Sequence, residues 1–384
     1  MRRLAGWLLP LLAAGLLNGC SWLRGDEDNV EPPAELKDIT PTVKLERLWA
    51  ADVGDGVDEQ FLRLVPAVDG GRVFAADHEG RVAAFEAASG KPVWEVKTGI
   101  RITGGVGTGE GLILVGGSEA EVVALDWRDG KEVWRSQASS EVLGVPAAAR
   151  GLVVVQSVDG NLTALDAATG ARRWVFDRSV PVLSLRGTSS PLLIESYAIT
   201  GLASGKAVAV ELARGLPIWE TAVAIPRGRS ELDRMVDIDA PLALRGSQLY
   251  AVTYQGRVAA LDGPSGRLLW ARDISSAAGL GVDDRQVYVS DDQDQVWAFD
   301  RRSGAAVWKL DDFRRRQLTA PAVLGDHVVV GDYEGYLHVI TRDDGRIVGR
   351  ARVDSKGILA PPRVVDDVLY VYGNGGTLAA YALR

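Results

Sequence analysis

A frame of about 40 residues recurs along this chain, and such a repeat limits the possible architectures more than length or composition does. The segments FAADHEGRVAAFEAASGKPVWEV from Phe74, LVGGSEAEVVALDWRDGKEVWRS from Leu114 and VVQSVDGNLTALDAATGARRWVF from Val154 share one order. Each reads as an apolar strand, an acidic or glycine turn, a second strand, then Gly-x-x-x-Trp. The order returns in AITGLASGKAVAVELARGLPIWE, YAVTYQGRVAALDGPSGRLLWAR, YVSDDQDQVWAFDRRSGAAVWKL and VVGDYEGYLHVITRDDGRIVGRA. A last copy, YVYGNGGTLAAYALR, stops before its tryptophan.

Trp94, Trp134, Trp174, Trp219, Trp270 and Trp308 end six units, and Gly349 stands in that place in the seventh. Spacings of 40, 40, 45, 51, 38 and 41 residues suit four short strands per unit. Alternation in pieces such as Arg81-Val82-Ala83-Ala84-Phe85, and Ser-Gly and Asp-Gly turns, argue for strands joined tightly, with no helix-length amphipathic segment competing. Units of this kind cannot bury both faces alone, and radial closure removes the edges that a linear stack leaves open. The expectation is an all-β, eight-bladed β-propeller of the quinoprotein-like repeat type over residues 44–384. The eighth copy lacks an outer strand, and Leu45-Glu46-Arg47-Leu48-Trp49, placed 45 residues before Trp94, has the pattern to supply it and close the ring. The tryptophans are read as packing one blade on the next.

Ahead of the repeats, Arg2-Arg3 and an apolar run from Leu4 to Leu17 have the layout of an export signal too short to span a membrane. Leu17-Asn18-Gly19-Cys20 resembles the bacterial lipobox, which implies cleavage after residue 19 and lipid on Cys20. Cys20 is the sole cysteine of 384 residues, so no disulfide framework or thiolate cluster can form within the chain. Ser21 after it favours the outer membrane by analogy with enterobacterial sorting. Residues 20–43, acidic and carrying Pro32-Pro33, read as a lipidated tether. Its 23 residues after the cysteine reach about 75 Å at most. Loss of residues 1–19 leaves 41 basic against 51 acidic side chains, a poor surface for nucleic acid.

The Gly-x-x-x-Trp repeat is similar to the blades of pyrroloquinoline-quinone dehydrogenases, making a quinoprotein-like periplasmic dehydrogenase the enzyme alternative. That resemblance thins at the site: those enzymes carry an adjacent-cysteine disulfide, which one lipidated cysteine cannot provide, and no matching calcium ligands are found. His78, His327 and His338 lack metal-ligand spacing and read as packed or solvated. Asp291-Asp292-Gln293-Asp294 lacks the glycine and terminal glutamate of an EF-hand loop and reads as solvated turn residues, as does Arg314-Arg315-Arg316. No catalytic residue, cofactor or metal is expected.

Two repeats are longer than the rest, and long propeller loops are where recognition tends to sit. One insertion holds Pro181 to Pro191, the other Arg229 to Pro241. They offer Leu183 and Leu185, the forked donor Arg186, and Asp237 and Asp239 two residues apart on a strand face. Arg186 has two readings, pairing with Asp237 or Asp239 to hold the loops together, or meeting a carboxylate on a partner. The leucines are either the apolar centre of an interface or blade core.

Over its whole length the chain resembles the outer-membrane assembly factor BamB family. The matches are Leu183-Ser184-Leu185-Arg186-Gly187, the Glu-x-Asp-Arg-x-x-Asp-x-Asp segment from Glu231 to Asp239, and Gly331-Asp332-Tyr333-Glu334-Gly335-Tyr336-Leu337-His338. The resemblance implies that the two loops meet a POTRA domain of BamA within the β-barrel assembly machinery, through Leu183, Leu185, Arg186, Asp237 and Asp239. It implies a non-enzymatic scaffold, lipid-anchored at the outer membrane and facing the periplasm. A further expected role is to receive unfolded client strands along a blade edge. A general periplasmic interaction propeller is the remaining alternative.

Overall fold

The computed structural model describes residues 31–57 and 60–384; the expectations for the signal segment and Cys20 lie outside them. Among the described residues there are strands and no helix, grouped in eight four-stranded antiparallel sheets. Blades 1 to 7 occupy 67–97, 102–137, 147–176, 192–222, 243–273, 279–310 and 322–352 in chain order. Blade 8 takes Arg363–Val365, Val368–Tyr372 and Thr377–Leu383, with Leu45–Asp52 as its outer strand. Leu45 lies opposite Leu383 and Asp52 opposite Thr377, while Lys44 and Arg384 exchange backbone hydrogen bonds of 2.8 and 2.9 Å. The eight-bladed ring closed by its N-terminal strand is thus as the repeats imply.

Each blade is sandwiched between two others, so its middle strands bury both faces. Val82, Ala83 and Ala84 are all 1 % exposed or less, and the strict alternation expected in Arg81–Phe85 gives way to continuous burial. Alternation survives in outer strands such as Pro92–Lys97, which have one wet side.

Seven tryptophans join neighbouring blades by the same pair of contacts. The indole N–H of Trp49, Trp94, Trp134, Trp174, Trp219, Trp270 and Trp308 donates to a backbone carbonyl of the next blade at 2.7–3.1 Å. The ring then lies against that blade's turn glycine. A Cβ on Gly170 would stand 2.7 Å from the Trp134 ring. We expect Gly170→Ala to cost more than Gly71→Ala. Both have φ near +72°, but nothing lies within 4 Å of the Cβ site at Gly71. Melting curves should give about 1 kcal/mol for the backbone cost alone at Gly71 and roughly 2–3 kcal/mol at Gly170.

Gly349 replaces tryptophan because blade 8 has no glycine turn for it to meet; Thr42 to Lys44 and Arg384 stand there instead. A Cβ on Gly349 would come within 2.9 Å of the Val43 carbonyl, and the Thr42 and Val43 amides both donate to Val348 O.

The free tether expected up to Val43 needs correction, because the compact unit begins at Ala34. Arg350 donates to Lys37 O at 3.2 Å, Lys37 pairs with Asp312, and Arg316 donates to Ala34 O at 2.9 Å. Arg316 itself is no solvated turn residue. Its guanidinium is 2 % exposed, lies 2.7 Å from Asp332, bonds Glu334 and sits over the Tyr333 ring. His338, fully buried, accepts from Arg350 Nε at Nδ1 and donates from Nε2 to Asp332 at 2.9 Å; burial pulls its pKa down, against the pull of Asp332. Asp291 is likewise a structural acceptor, taking the Gln295 amide and the Trp297 indole, both at 2.8 Å, and Asp294 accepts the Leu318 amide at 2.7 Å. Hydrogen bonding within the fold, not hydration, accounts for Asp291, Asp294 and Arg316.

Within a blade the strands follow one another antiparallel from the axis outward. All connectors from an outer strand to the next inner strand therefore emerge on one face of the ring, opposite the glycine turns.

Candidate binding surface

The two long insertions are connectors on that face, 177–191 between blades 3 and 4 and 223–242 between blades 4 and 5. Neither contains a strand, so Asp237 and Asp239 do not share a strand face as expected. They sit in an extended segment pinned from both sides. Ile238 donates to Leu202 O, Tyr254 donates to Asp237 O at 2.9 Å, and Met235, Val236 and Ile238 are buried beneath. The tip at Ser230–Asp233 is closed by two reciprocal bonds of 3.1 Å, Ser230 N–H to the Asp233 carboxylate and Asp233 N–H to the Ser230 hydroxyl.

The first loop rests on the second. Leu185 N–H donates to Asp237 Oδ1 at 3.1 Å, Ser189 Oγ donates to Ala240 O at 3.1 Å, and Gly187 leaves no room for a Cβ above Asp239. Of the two readings for Arg186, neither intramolecular pair is formed. The guanidinium instead meets Glu141, in the connector between blades 2 and 3, at 2.8 Å, and donates to Phe61 O at 3.4 Å. The surface left open is aliphatic: Val182 is 85 % exposed, Leu183 41 % and, on the second loop, Leu232 63 %. Leu185 is half-buried, Arg186 exposed, Asp239 half-buried and Asp237 only 1 % exposed. Asp237 is therefore corrected from a contact to a support. Phe61, 57 % exposed beside Arg186, and Glu141 escaped the sequence reading; an aromatic in an otherwise Asp- and Gly-rich connector was the available signal for the first.

The two carboxyls are electrostatically unusual. Burial pushes Asp237 up to about 6, against the pull of the Leu185 amide, and its Oδ2 has no partner. Burial, with the Asp237 charge added, pushes Asp239 up to about 7, and Arg63 offsets only part of this. Between pH 4 and 7 the folded chain holds protons here that the unfolded chain has released, so this contribution falls as pH rises through the window. Asp239→Asn, which mimics the protonated form, should raise stability at pH 8 by about 1–3 kcal/mol, by a smaller amount at pH 5, and leave it nearly unchanged only below the unfolded carboxyl's own pKa, near pH 3.5. Thermal melts of both proteins at pH 8, 5 and 3.5 check this.

A family model described as outer membrane protein assembly factor BamB matches residues 46–101, 78–310 and 312–384. The chain is 55 % identical over 375 residues to the outer membrane protein assembly factor BamB of Pseudomonas aeruginosa, covering 97 % of this chain and 98 % of that one. The chain belongs to the BamB family. It is 49 % identical to BamB of Alkalilimnicola ehrlichii over 98 % of this chain and 96 % of that one. The crystal structure of BamB from Moraxella catarrhalis superposes with a TM-score of 0.81 at 27 % identity, covering 88 % of this chain and 99 % of that one. Quinohemoprotein alcohol dehydrogenase from Comamonas testosteroni, at 16 % identity, TM-score 0.69, and coverage of 88 % and 76 %, shares the fold alone. Of the segments that carry the BamB resemblance, Leu183–Gly187 and Glu231–Asp239 build the loop pair, and Gly331–His338 builds the network around Arg316.

Proposed function

We propose that this chain is a lipid-anchored, non-enzymatic scaffold of the outer-membrane β-barrel assembly machinery, facing the periplasm and binding a POTRA domain of BamA through its two long connectors. Near-full-length membership of the BamB family carries the reading of assembly factor. What supports the surface is its build: exposed Val182, Leu183 and Leu232 are raised on loops braced by Asp237 and by backbone hydrogen bonds, so little ordering entropy is lost on docking. Arg186 and Glu141 form a polar rim beside them.

The test is purification from native membranes in mild detergent, wild type beside Leu183→Asp and Arg186→Glu, with co-purifying proteins identified by mass spectrometry. We expect a POTRA-containing barrel protein with wild type and at least a tenfold loss, over about 1.4 kcal/mol, in each variant. Equal recovery in all three overturns the loop assignment; recovery in none overturns the assembly role.

A second role is favoured by the outer strands. Val93, Val133, Val175, Ile218 and Val307 are 37–47 % exposed beside their tryptophans, on strands whose outer edge pairs with nothing within the blade. Such an edge can accept an unfolded client strand. Photocrosslinkers on these outer strands should trap client chains; consistent failure to trap them retires the idea.

A further inference from the structure

The channel along the ring axis opens on the connector face as a cavity of about 660 Å³, within the roughly 300–1,000 Å³ of small-ligand sites. Its wall is made by the segments that lead into the innermost strands, and apolar side chains such as Val65, Leu143, Leu280 and Pro321 dominate it. Three guanidiniums interrupt this apolar wall. Arg186 is answered by Glu141 at 2.8 Å. Arg63 stacks 5.9 Å from the Phe61 ring, and Asp239, itself pushed toward neutrality by burial, is the anion that acts on it. The guanidinium of Arg363, at the start of the inner strand of blade 8, lines the cavity, stays exposed to solvent and makes no hydrogen bond or ion pair among the described residues. A chain of net charge −8 thus places three guanidiniums around an apolar cavity, one of them without an ion pair.

We propose that this cavity binds a small amphipathic carboxylate of the fatty-acid class, with its head on Arg363 and Arg63 and its aliphatic body against Val65, Leu143, Leu280 and Pro321. A guanidinium fork matches the two oxygens of a carboxylate. Asp239 on the same wall disfavours a dianion such as phosphate, and the apolar wall disfavours a head without a tail. The site shares Leu185 and Arg186 with the proposed docking surface but requires no protein partner, so its failure leaves that reading standing.

The test is calorimetric titration of octanoate into the full-length protein in phosphatidylcholine nanodiscs, with empty discs subtracted. Octyltrimethylammonium and acetate serve as the reversed head and the head alone. We expect saturable one-to-one octanoate binding, weakened at least tenfold in Arg363→Gln and in Leu280→Asp, partly retained in Arg363→Lys, and matched by neither control compound. No saturable binding above empty discs overturns the proposal, as does equal affinity in Arg363→Gln or equal binding of octyltrimethylammonium. Displacement of 11-(dansylamino)undecanoate by octanoate, lost in Arg63→Gln, gives a second readout; unchanged displacement in that variant also counts against the site. Recovery of the POTRA-containing partner by Arg363→Gln, unchanged from wild type, separates this site from the docking surface.

Discussion

Deletion of residues 44–52 from the full chain is expected to abolish the single cooperative melting transition, or to lower it by at least roughly 15 °C, while far-ultraviolet circular dichroism still reports strands. The segment is the outer strand of blade 8, paired from Leu45–Leu383 to Asp52–Thr377, and supplies the staple between the last blade and the first. Trp49 donates to Ala87 O at 2.8 Å, covers Gly90 and lies 6.1 Å from the Tyr370 ring. Loss of one such tryptophan alone costs about 3–5 kcal/mol, and the deletion also bares the edge of Thr377–Leu383 and a flank of blade 1. A synthetic peptide of residues 44–52 added in trans should restore part of the transition. An unchanged melting temperature in the deletion would mean that the ring closes without this strand.

That closure was legible in the sequence because its signature is local and chemical. A Gly-x-x-x-Trp turn repeats wherever one blade must cover the next, and the one copy that stops short announces the missing strand. The exception at Gly349 was visible as an oddity, but its reason was not. Only the assembled ring shows that the Val43 carbonyl occupies the space and that blade 8 has Lys44 paired with Arg384 where the other blades have a turn.

The candidate surface was legible as two loops and not as a mechanism of support. Exposure of Leu183 was one of two readings the sequence left open, and burial of Asp237 depends on Met235, Val236 and Ile238 packing under a segment that has no strand periodicity. The partner of Arg186 lies 45 residues away in another connector, and no spacing rule points to Glu141. Arg63 and Arg363 meet around one cavity from opposite ends of the chain, a convergence that ring closure alone creates. Polar pairing over long separations is where a single sequence is least informative, since it carries neither a period nor a turn signal.

Arg316→Ala should be the most damaging single substitution of a charged residue, costing about 3–5 kcal/mol. Its guanidinium donates from Nε and Nη2 to one oxygen of Asp332 at 2.9 and 2.7 Å, and Asp332 is fully buried. Removal leaves that carboxylate with His338 and two turn amides, those of Glu334 and Tyr336, as its remaining donors, in a site that excludes water. The cost is the desolvation of an uncompensated charge rather than the energy of one ion pair. Glu334→Gln removes the half-exposed partner of the same guanidinium and should cost less than about 1 kcal/mol. A second readout separates the buried charge from the docked N-terminal segment. Arg316 holds Ala34 O and Arg350 holds Lys37 O, so both Arg316→Ala and Arg350→Ala should speed proteolysis within residues 34–43, but Arg316→Ala should lower the melting temperature several-fold more. Equal melting temperatures in the two variants would place the network's contribution in the docked segment and not in the Asp332 carboxylate.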